Sequence, residues 1–356
     1  MARFSTAFLK IGRGLALSFF LISTLGCSTA STTPPPPHPT MGPEKRLLID
    51  VSRHFWEMDE LLALLPKMQA AGFTVLHFHL TDGPGWRLES KAYPLATEKG
   101  AWRVDKTDQP WHWRSTEFWT PEHATTGAKR YGGYYTVEQL KAFHQAAKEH
   151  GILIIPEVDM PGHSAALMFA YPELACPTNQ DPKGWFLGKD VLCVGNPKTV
   201  AFCDTIIGEL CEIFPGSPIH IGCDEVPTFA WAECPTCRHP EVQKAFYEAL
   251  VASVKKRGVE VLAWDELAQT GIDVSDVTLT CWHDEVQPRA NDVACPYSYC
   301  YLDQAKSRER LPTWEIPKDV RAIQLNLWTE EMPTRAIREQ LLDEGFKALQ
   351  QALEKE

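Results

Sequence analysis

A chain of 356 residues can hold one large barrel-type domain or two small ones. Its formal net charge of −11 excludes wholesale binding to nucleic acid, whose phosphates need a basic surface. Hydrophobic residues make up 44%, an ordinary globular share, while 12 Trp and 27 Pro point to long loops with large aromatic surfaces.

Residues 1–27 read as an export signal. Arg3, Lys10 and Arg13 form a basic start, and the apolar run from Leu15 to Leu25 is too short to span a bilayer. The run ends in Thr24-Leu25-Gly26-Cys27, which is similar to a bacterial lipobox, where the Cys is lipidated and becomes the mature N-terminus. Thr24 stands where an aliphatic residue is usual. With Ser28 next, the expected location is the outer membrane or periplasm, through a lipid anchor on Cys27. Residues 28–44 read as a solvated tether stiffened by Pro34 to Pro37, and residues 45–356 as the folded domain.

From there, short apolar runs alternate with helical periodicity. Strands are predicted at 47–52, 75–80, 152–158, 218–223, 259–264, 277–282, 292–296 and 322–328. Helices are predicted at 58–71, 136–150, 198–213 and 240–257. Eight near-continuous apolar strands alternating with helices predict an α/β fold, a (β/α)8 TIM barrel with its site at the C-terminal strand ends. Strands six and seven are separated by about nine residues, fewer than the dozen a parallel crossover usually takes, so the helices of the second half are expected to be shortened. The segment from Thr334, with Ile337, Leu341, Phe346, Leu349 and Leu353 on one stripe, forms an amphipathic closing helix.

Polar residues gather where such a barrel places its chemistry. Arg53-His54 follows strand one, and His79-Leu80-Thr81-Asp82 ends strand two. Glu157, Asp159 and His163 follow strand three, and Asp224-Glu225 ends strand four. Trp264-Asp265-Glu266, Trp282 and Trp328-Thr329-Glu330 end strands five, six and eight. Cleaving a glycosidic bond needs an acid at the leaving oxygen and a group that stabilises the anomeric carbon. Successive side chains of a regular strand face opposite ways, so Asp224 and Glu225 can act together only where the strand breaks, and Pro227 fits such a break. Two adjacent carboxylates repel, which raises at least one pKa and suits a general acid near neutral pH.

Ten Cys follow Cys27. Cys176 and Cys193 have the spacing to close a loop, and Cys203, Cys211, Cys281 and Cys295 read as small buried hydrophobes. Cys234-Pro-Thr-Cys237 has metal or redox spacing, but the chain has no second such pair, so neither a metal nor a cofactor is expected.

The run His220-Ile221-Gly222-Cys223-Asp224-Glu225-Val226 closely resembles the signature of family 20 glycoside hydrolases, the β-N-acetylhexosaminidases, with Cys223 in place of a second Gly. The resemblance extends from about residue 46 to 331. It includes Leu48-Ile49-Asp50-Val51-Ser52-Arg53-His54, Gly85-Trp86-Arg87, Tyr131-Gly132-Gly133-Tyr134-Tyr135-Thr136 and Pro156-Glu157-Val158-Asp159-Met160-Pro161-Gly162-His163-Ser164. Tyr301-Leu302-Asp303 and Gln324-Leu325-Asn326-Leu327-Trp328-Thr329-Glu330 extend it further. Thr81-Asp82-Gly83-Pro84-Gly85-Trp86 departs from the family's Thr-Asp-Asp-Gln-Gly-Trp.

The resemblance implies an exo-acting enzyme that removes terminal β-linked N-acetylglucosamine or N-acetylgalactosamine from glycans. It implies a retaining mechanism in which the substrate's own 2-acetamido group is the nucleophile. Glu225 would be the general acid and base, Asp224 would orient the acetamido N–H, and Tyr301 would donate to its oxygen. Trp264, Trp282 and Trp328 would wall the acetamido methyl. Arg53, Asp303 and Glu330 would hold sugar hydroxyls, and Asp82 with His163 would support Glu225. Two other readings stand beside this one: a metal-dependent hydrolase using His77 and His79, and a weak or inactive surface glycan-binding protein on the same barrel. His220 reads as structural. Trp86, Trp102, Trp111, Trp113 and Trp119, in the long loop 83–135, either stack on further sugars or form that loop's own core.

Overall fold

The first strand, β1 (Glu44–Asp50), is buried over its last five residues, as an apolar strand covered on both faces must be. A computed structural model describes residues 42–106, 117–179 and 189–355. After β1 come β2 (Val75–His79), β3 (Leu153–Glu157), β4 (Ile219–His220), β5 (Val261–Trp264), β6 (Thr278–Cys281), β7 (Val293–Ala294) and β8 (Ala322–Leu327). All pair in parallel and in chain order, and β8 returns to β1 in register from Glu44–Ala322 to Ile49–Leu327. The expected (β/α)8 barrel is the fold.

Helices α1 (Met58–Ala70), α2 (Val137–Glu149), α3 (Pro197–Ile213) and α4 (Pro240–Lys255) cover its first half. Each turns one stripe inward; α1 buries Leu61, Leu64, Leu65 and Met68, each contributing about 1.5–3 kcal/mol. Thr136 and Gln139 form a capping box at the start of α2, and Asn196 caps Lys198 N–H at the start of α3.

The second half is thin, as expected. A 3-10 turn, Asp265–Thr270, follows β5, and only short helices, Tyr297–Cys300 and Ala305–Arg310, follow β7. No helix lies between β6 and β7 among the described residues; side-chain bonds fix that connection instead. Asp292 accepts from Leu279 N–H at 2.9 Å and from Arg289 at 2.8 Å, while Arg289 donates to the Val274 and Val277 carbonyls. The closing helix α5 (Arg335–Leu353) then packs back on the barrel.

Several strand boundaries differ from expectation: β7 spans two residues where five were expected, and β5 begins two residues late. β1 opens at Glu44, inside the predicted tether. β4 is two residues long rather than six, because left-handed backbone at Gly222 and Cys223 ends its regular ladder. The expected signal segment, Cys27, Trp111 and Trp113 lie outside the described residues. Trp86 is buried against Phe202, whereas Trp102 and Trp119 are half-buried, Trp102 beneath the Arg130 guanidinium at 4.0 Å. Among the described residues no helix is long and apolar enough to cross a membrane.

Closure of the barrel by α5 rests on a buried ion pair. Arg338 Nε and Nη2 meet the two oxygens of Glu60, on α1, at 2.8 and 2.6 Å, and the guanidinium lies over Trp56. Arg338→Met leaves Glu60 buried without a partner and is expected to cost about 3–5 kcal/mol in urea unfolding. The double variant Arg338→Met/Glu60→Leu should recover most of that loss; equal losses in both would show that the pair contributes only its bulk.

Candidate active site

The centre of the barrel is a carboxylate. Glu157 ends β3, is fully buried, and is reached from three neighbouring strands. His77 on β2 stands 3.0 Å from it, His220 on β4 also 3.0 Å, and Trp264 Nε1 on β5 donates to it at 2.9 Å. His79 Nδ1 meets Oε2, the oxygen that His77 also approaches, while His220 and Trp264 share Oε1. Burial opposes ionisation of Glu157, but His79, His220 and His77 outweigh it and hold the carboxyl well below its usual range. Burial likewise opposes charge on His79, yet Glu157 and Asp82 raise it well above the ordinary imidazole value. Burial pushes His220 down to about 4, so this ring is neutral. His220 is structural, as expected, and the His77 and His79 rings converge on Glu157.

His79 passes the order outward. Its Nε2 lies 3.0 Å from Asp82, which also binds Arg53 Nη2 at 2.7 Å and His163 Nδ1 at 3.3 Å. His163 Nε2 is 3.6 Å from both Asp224 and Glu225. Burial disfavours the charged form of His163, but Asp82 and Asp224 raise it well above its usual value. The expected Asp82–His163 pair is therefore present, and its imidazole faces both carboxylates, not Glu225 alone.

The adjacent carboxylates reach the mouth by a sharp reversal of the backbone. Gly222, Cys223 and Glu225 have φ of 70°, 77° and 44°, the left-handed region that side chains with a Cβ disfavour. The break therefore comes at Gly222, ahead of the expected Pro227. A Cβ on Gly222 would lie 1.8 Å from Asp159 Oδ1, which accepts from Cys223 N–H at 3.2 Å. The turn leaves Asp224 buried and Glu225 with 63% of its side chain exposed. Asp224 is raised by burial, against the pull of His163, with Glu157 adding to the rise. One oxygen of Asp159 lies within 4.8 Å of one of Asp224, and burial followed by the Asp224 charge drives Asp159 well above the usual range.

Opposite stand the aromatic walls. Trp264 and Trp328 have ring centroids 5.9 Å apart, and Tyr301 lies 6.2 and 6.3 Å from Trp282 and Trp328. Burial raises the Tyr301 hydroxyl well above its normal pKa, so it keeps its proton as a donor. Arg53, Asp224, Glu225, Tyr301, Asp303 and Glu330 line one cleft with the three indoles. Burial pushes Asp303 up to about 6 and Glu330 up to about 7, the latter against Arg53, whose Nη2 is 3.8 Å away. All eleven residues singled out in the sequence thus fall in this cleft or directly behind it.

Glu157, Asp159 and Glu266 were given no role by sequence reasoning. Glu266 accepts from Glu225 N–H at 3.3 Å and from Trp282 Nε1 at 3.0 Å, so it holds both the acidic turn and a wall. Burial, then Asp224, pushes it up to about 8. Their signal was position alone, an acidic residue at the end of a barrel strand. The glycine-bearing motifs are scaffold. Buried Arg87 donates to the carbonyls of Val51, Ser52, Ala101 and Gly133, bracing the loop that carries Arg53. A Cβ on Gly85 would lie 2.3 Å from that guanidinium.

The sequence has no second pair at the Cys234–Cys237 spacing, but the fold brings Cys176 and Cys193 to these two, and all four sulfurs lie within 4.8 Å of one another. Cys176 and Cys193 both approach Cys237, at 3.7 and 3.4 Å. Cys203, Cys281 and Cys295 are buried singly, as expected, and Cys211 is half-buried.

Residues 45–324 match the family model described as glycosyl hydrolase family 20, catalytic domain. A beta-hexosaminidase of Porphyromonas gingivalis is 29% identical over 81% of this chain and 40% of its own length. One from Vibrio furnissii is 31% identical over 73% and 44%. The chain therefore spans about half the length of the curated relatives it matches. Among solved structures, an exo beta-N-acetylglucosaminidase of Vibrio harveyi in complex with N-acetylglucosamine superposes with a TM-score of 0.72 at 26% identity, covering 88% of this chain and 54% of that one.

The reversal at β4 generates a paired prediction. Gly222→Ala is expected to cost more than about 3 kcal/mol, since it must displace Asp159. Cys223→Gly relieves about 1 kcal/mol of left-handed strain and should leave Tm unchanged or raised. Calorimetry decides, and equal losses in the two variants would show that Cys223 is unstrained.

Proposed function

The chain belongs to glycosyl hydrolase family 20, and from that premise we propose that it hydrolyses terminal, non-reducing β-linked N-acetylhexosamines by a retaining, substrate-assisted route. The observation that supports this most directly is the inequality of the adjacent carboxylates: Asp224 buried beside Asp159, Glu225 standing open in the mouth.

On this reading the 2-acetamido oxygen attacks the anomeric carbon as the glycosidic bond breaks. Glu225 gives its proton to the leaving oxygen. Asp224 accepts the acetamido N–H and stabilises the positive charge that develops on the oxazolinium-like intermediate. Tyr301 donates to the acetamido oxygen before attack, and Trp264, Trp282 and Trp328 enclose the methyl and exclude water. Water then adds to the anomeric carbon as its bond to the acetamido oxygen breaks, returning a proton to Glu225, regenerating the acetamido group and restoring the original configuration. Arg53, Asp303 and Glu330 bind sugar hydroxyls, a set consistent with either the gluco or the galacto epimer.

The test uses 4-nitrophenyl N-acetyl-β-glucosaminide. Glu225→Gln should lower kcat by about 10²–10⁴, and less for the nitrophenyl leaving group than for a chitobiose bond, which needs protonation more. Asp224→Asn should lower kcat by about 10²–10³. Asp303 and Glu330 accept from hydroxyls most strongly when ionised, so kcat/KM should rise with pH through about 6 to 7, and Asp303→Asn should remove the lower part of that limb. Full activity in Glu225→Gln would overturn the mechanism. Sugar binding without turnover in the wild type would favour a glycan-binding protein.

We also propose that the chain is exported and anchored through a lipid on Cys27, a reading supported by the basic start, the short apolar run and Leu25-Gly26-Cys27. Labelled palmitate should enter the wild type and not Cys27→Ser; equal labelling of both would refute the anchor.

A further inference from the structure

We propose that Cys176, Cys193, Cys234 and Cys237 form a closed four-thiolate site for a structural Zn²⁺ that ties together the loops following β3 and β4.

The four residues come from two segments. A 3-10 turn, Pro172–Leu174, leads to Cys176, and an antiparallel bridge between Ala175 and Leu192 brings Cys193 alongside it. The second segment follows the 3-10 turn Thr228–Trp231 and supplies Cys234 and Cys237. Trp231 Nε1 donates to the Leu192 carbonyl at 2.9 Å, and Asn179 to the Ala230 carbonyl at 3.2 Å, so the segments are already in register around the sulfurs.

The sulfur geometry suits zinc. Zn–S bonds of about 2.3 Å in a tetrahedron put the sulfurs about 3.8 Å apart. Cys237 Sγ is 3.7 Å from Cys176 Sγ and 3.4 Å from Cys193 Sγ, and all four sulfurs lie within 4.8 Å of one another. Cys237 thus contacts two partners at once, a cluster rather than two isolated pairs. Donors also converge on the sulfurs. Gly195 N–H donates to Cys237 Sγ at 3.3 Å, and Thr236 Oγ1 is 3.4 Å from Cys234 Sγ and 3.8 Å from Cys237 Sγ. Such outer donors fit sulfurs that carry thiolate charge. Gly195 is needed for this approach, since a Cβ there would lie 2.6 Å from Thr236.

Isolated buried Cys behave as small hydrophobes, but four at one point, ringed by donors, have ligand chemistry. All are at most 5% exposed, which leaves no open coordination position for substrate or water. The metal would therefore hold the loops and stay out of the reaction. In an oxidising compartment it would also keep the thiols from pairing.

The experiment is elemental analysis of the purified full chain by mass spectrometry, beside thiol titration before and after denaturation in chelator. The expected result is one zinc per chain and four thiols that react only after denaturation with chelator. Cys234→Ser and Cys237→Ser should drop zinc at least about tenfold, while Cys203→Ala keeps it. If the serine variants do not fold, Co²⁺ exchanged into the wild type should show the intense thiolate-to-cobalt charge-transfer absorption of four sulfur ligands. Metal-free protein with these four thiols reactive, or with a mass deficit of two disulfides, would overturn the proposal. Iron in place of zinc would overturn the choice of metal.

Discussion

A single buried charge organises this molecule. Removing a carboxylate from water costs several kcal/mol unless partners replace the lost solvation. Glu157 meets that cost with His77 and His79 on β2, His220 on β4 and the Trp264 indole on β5. Four adjacent strands are thereby held in one register by side chains, in addition to their backbone ladders. Strand register decides which residues face the mouth, and a slip of one position would turn His79 and Trp264 outward. The network also sets protonation states away from the mouth. The charged His79 stands against Asp82, Asp82 against Arg53 and His163, and His163 against the two carboxylates at the end of β4.

The same economy explains the strained backbone at β4. Adjacent residues on a strand point apart, so one of two neighbouring carboxylates would be lost to the site without a reversal. Left-handed residues provide that reversal, and the surrounding contacts hold it in place. Asp159 accepts from Cys223 N–H, and Glu266 accepts from Glu225 N–H. The carboxyl that fixes the turn also lies beside Asp224, whose charge adds to burial in raising Asp159.

The elements that sequence makes legible are those whose signal is local. The spacing of Leu61, Leu64, Leu65 and Met68 reveals α1, and the apolar runs reveal the strands, because burial acts on each segment separately. Residues such as Arg53, Tyr301 and Glu330 are legible through the family motifs that carry them. The end of β4 is not, because its conformation depends on Asp159, 64 residues away. Glu157 is hidden for a similar reason: an acidic residue at a strand end looks the same whether it faces substrate or three imidazoles. Cys176 and Cys193 lack the close spacing that marks a ligand pair, and only the Ala175–Leu192 bridge brings them together.

On the proposed roles, the thin second half of the barrel is compatible with a working site. Proton transfer demands placement within a few tenths of an ångström, and Asp82, His163, Asp224 and Glu225 all belong to the half built on full helices. The later strands contribute Trp282, Tyr301, Asp303 and Trp328, largely a wall against which an acetamido group would rest. Apolar contact is non-directional and tolerates small shifts that a proton donor would not. The connection between β6 and β7 can therefore dispense with a helix, provided that Trp282 stays where Glu266 holds it. Arg289 and Asp292 secure the base of that connection and Glu266 its top, and between them they confine the indole without a covering helix.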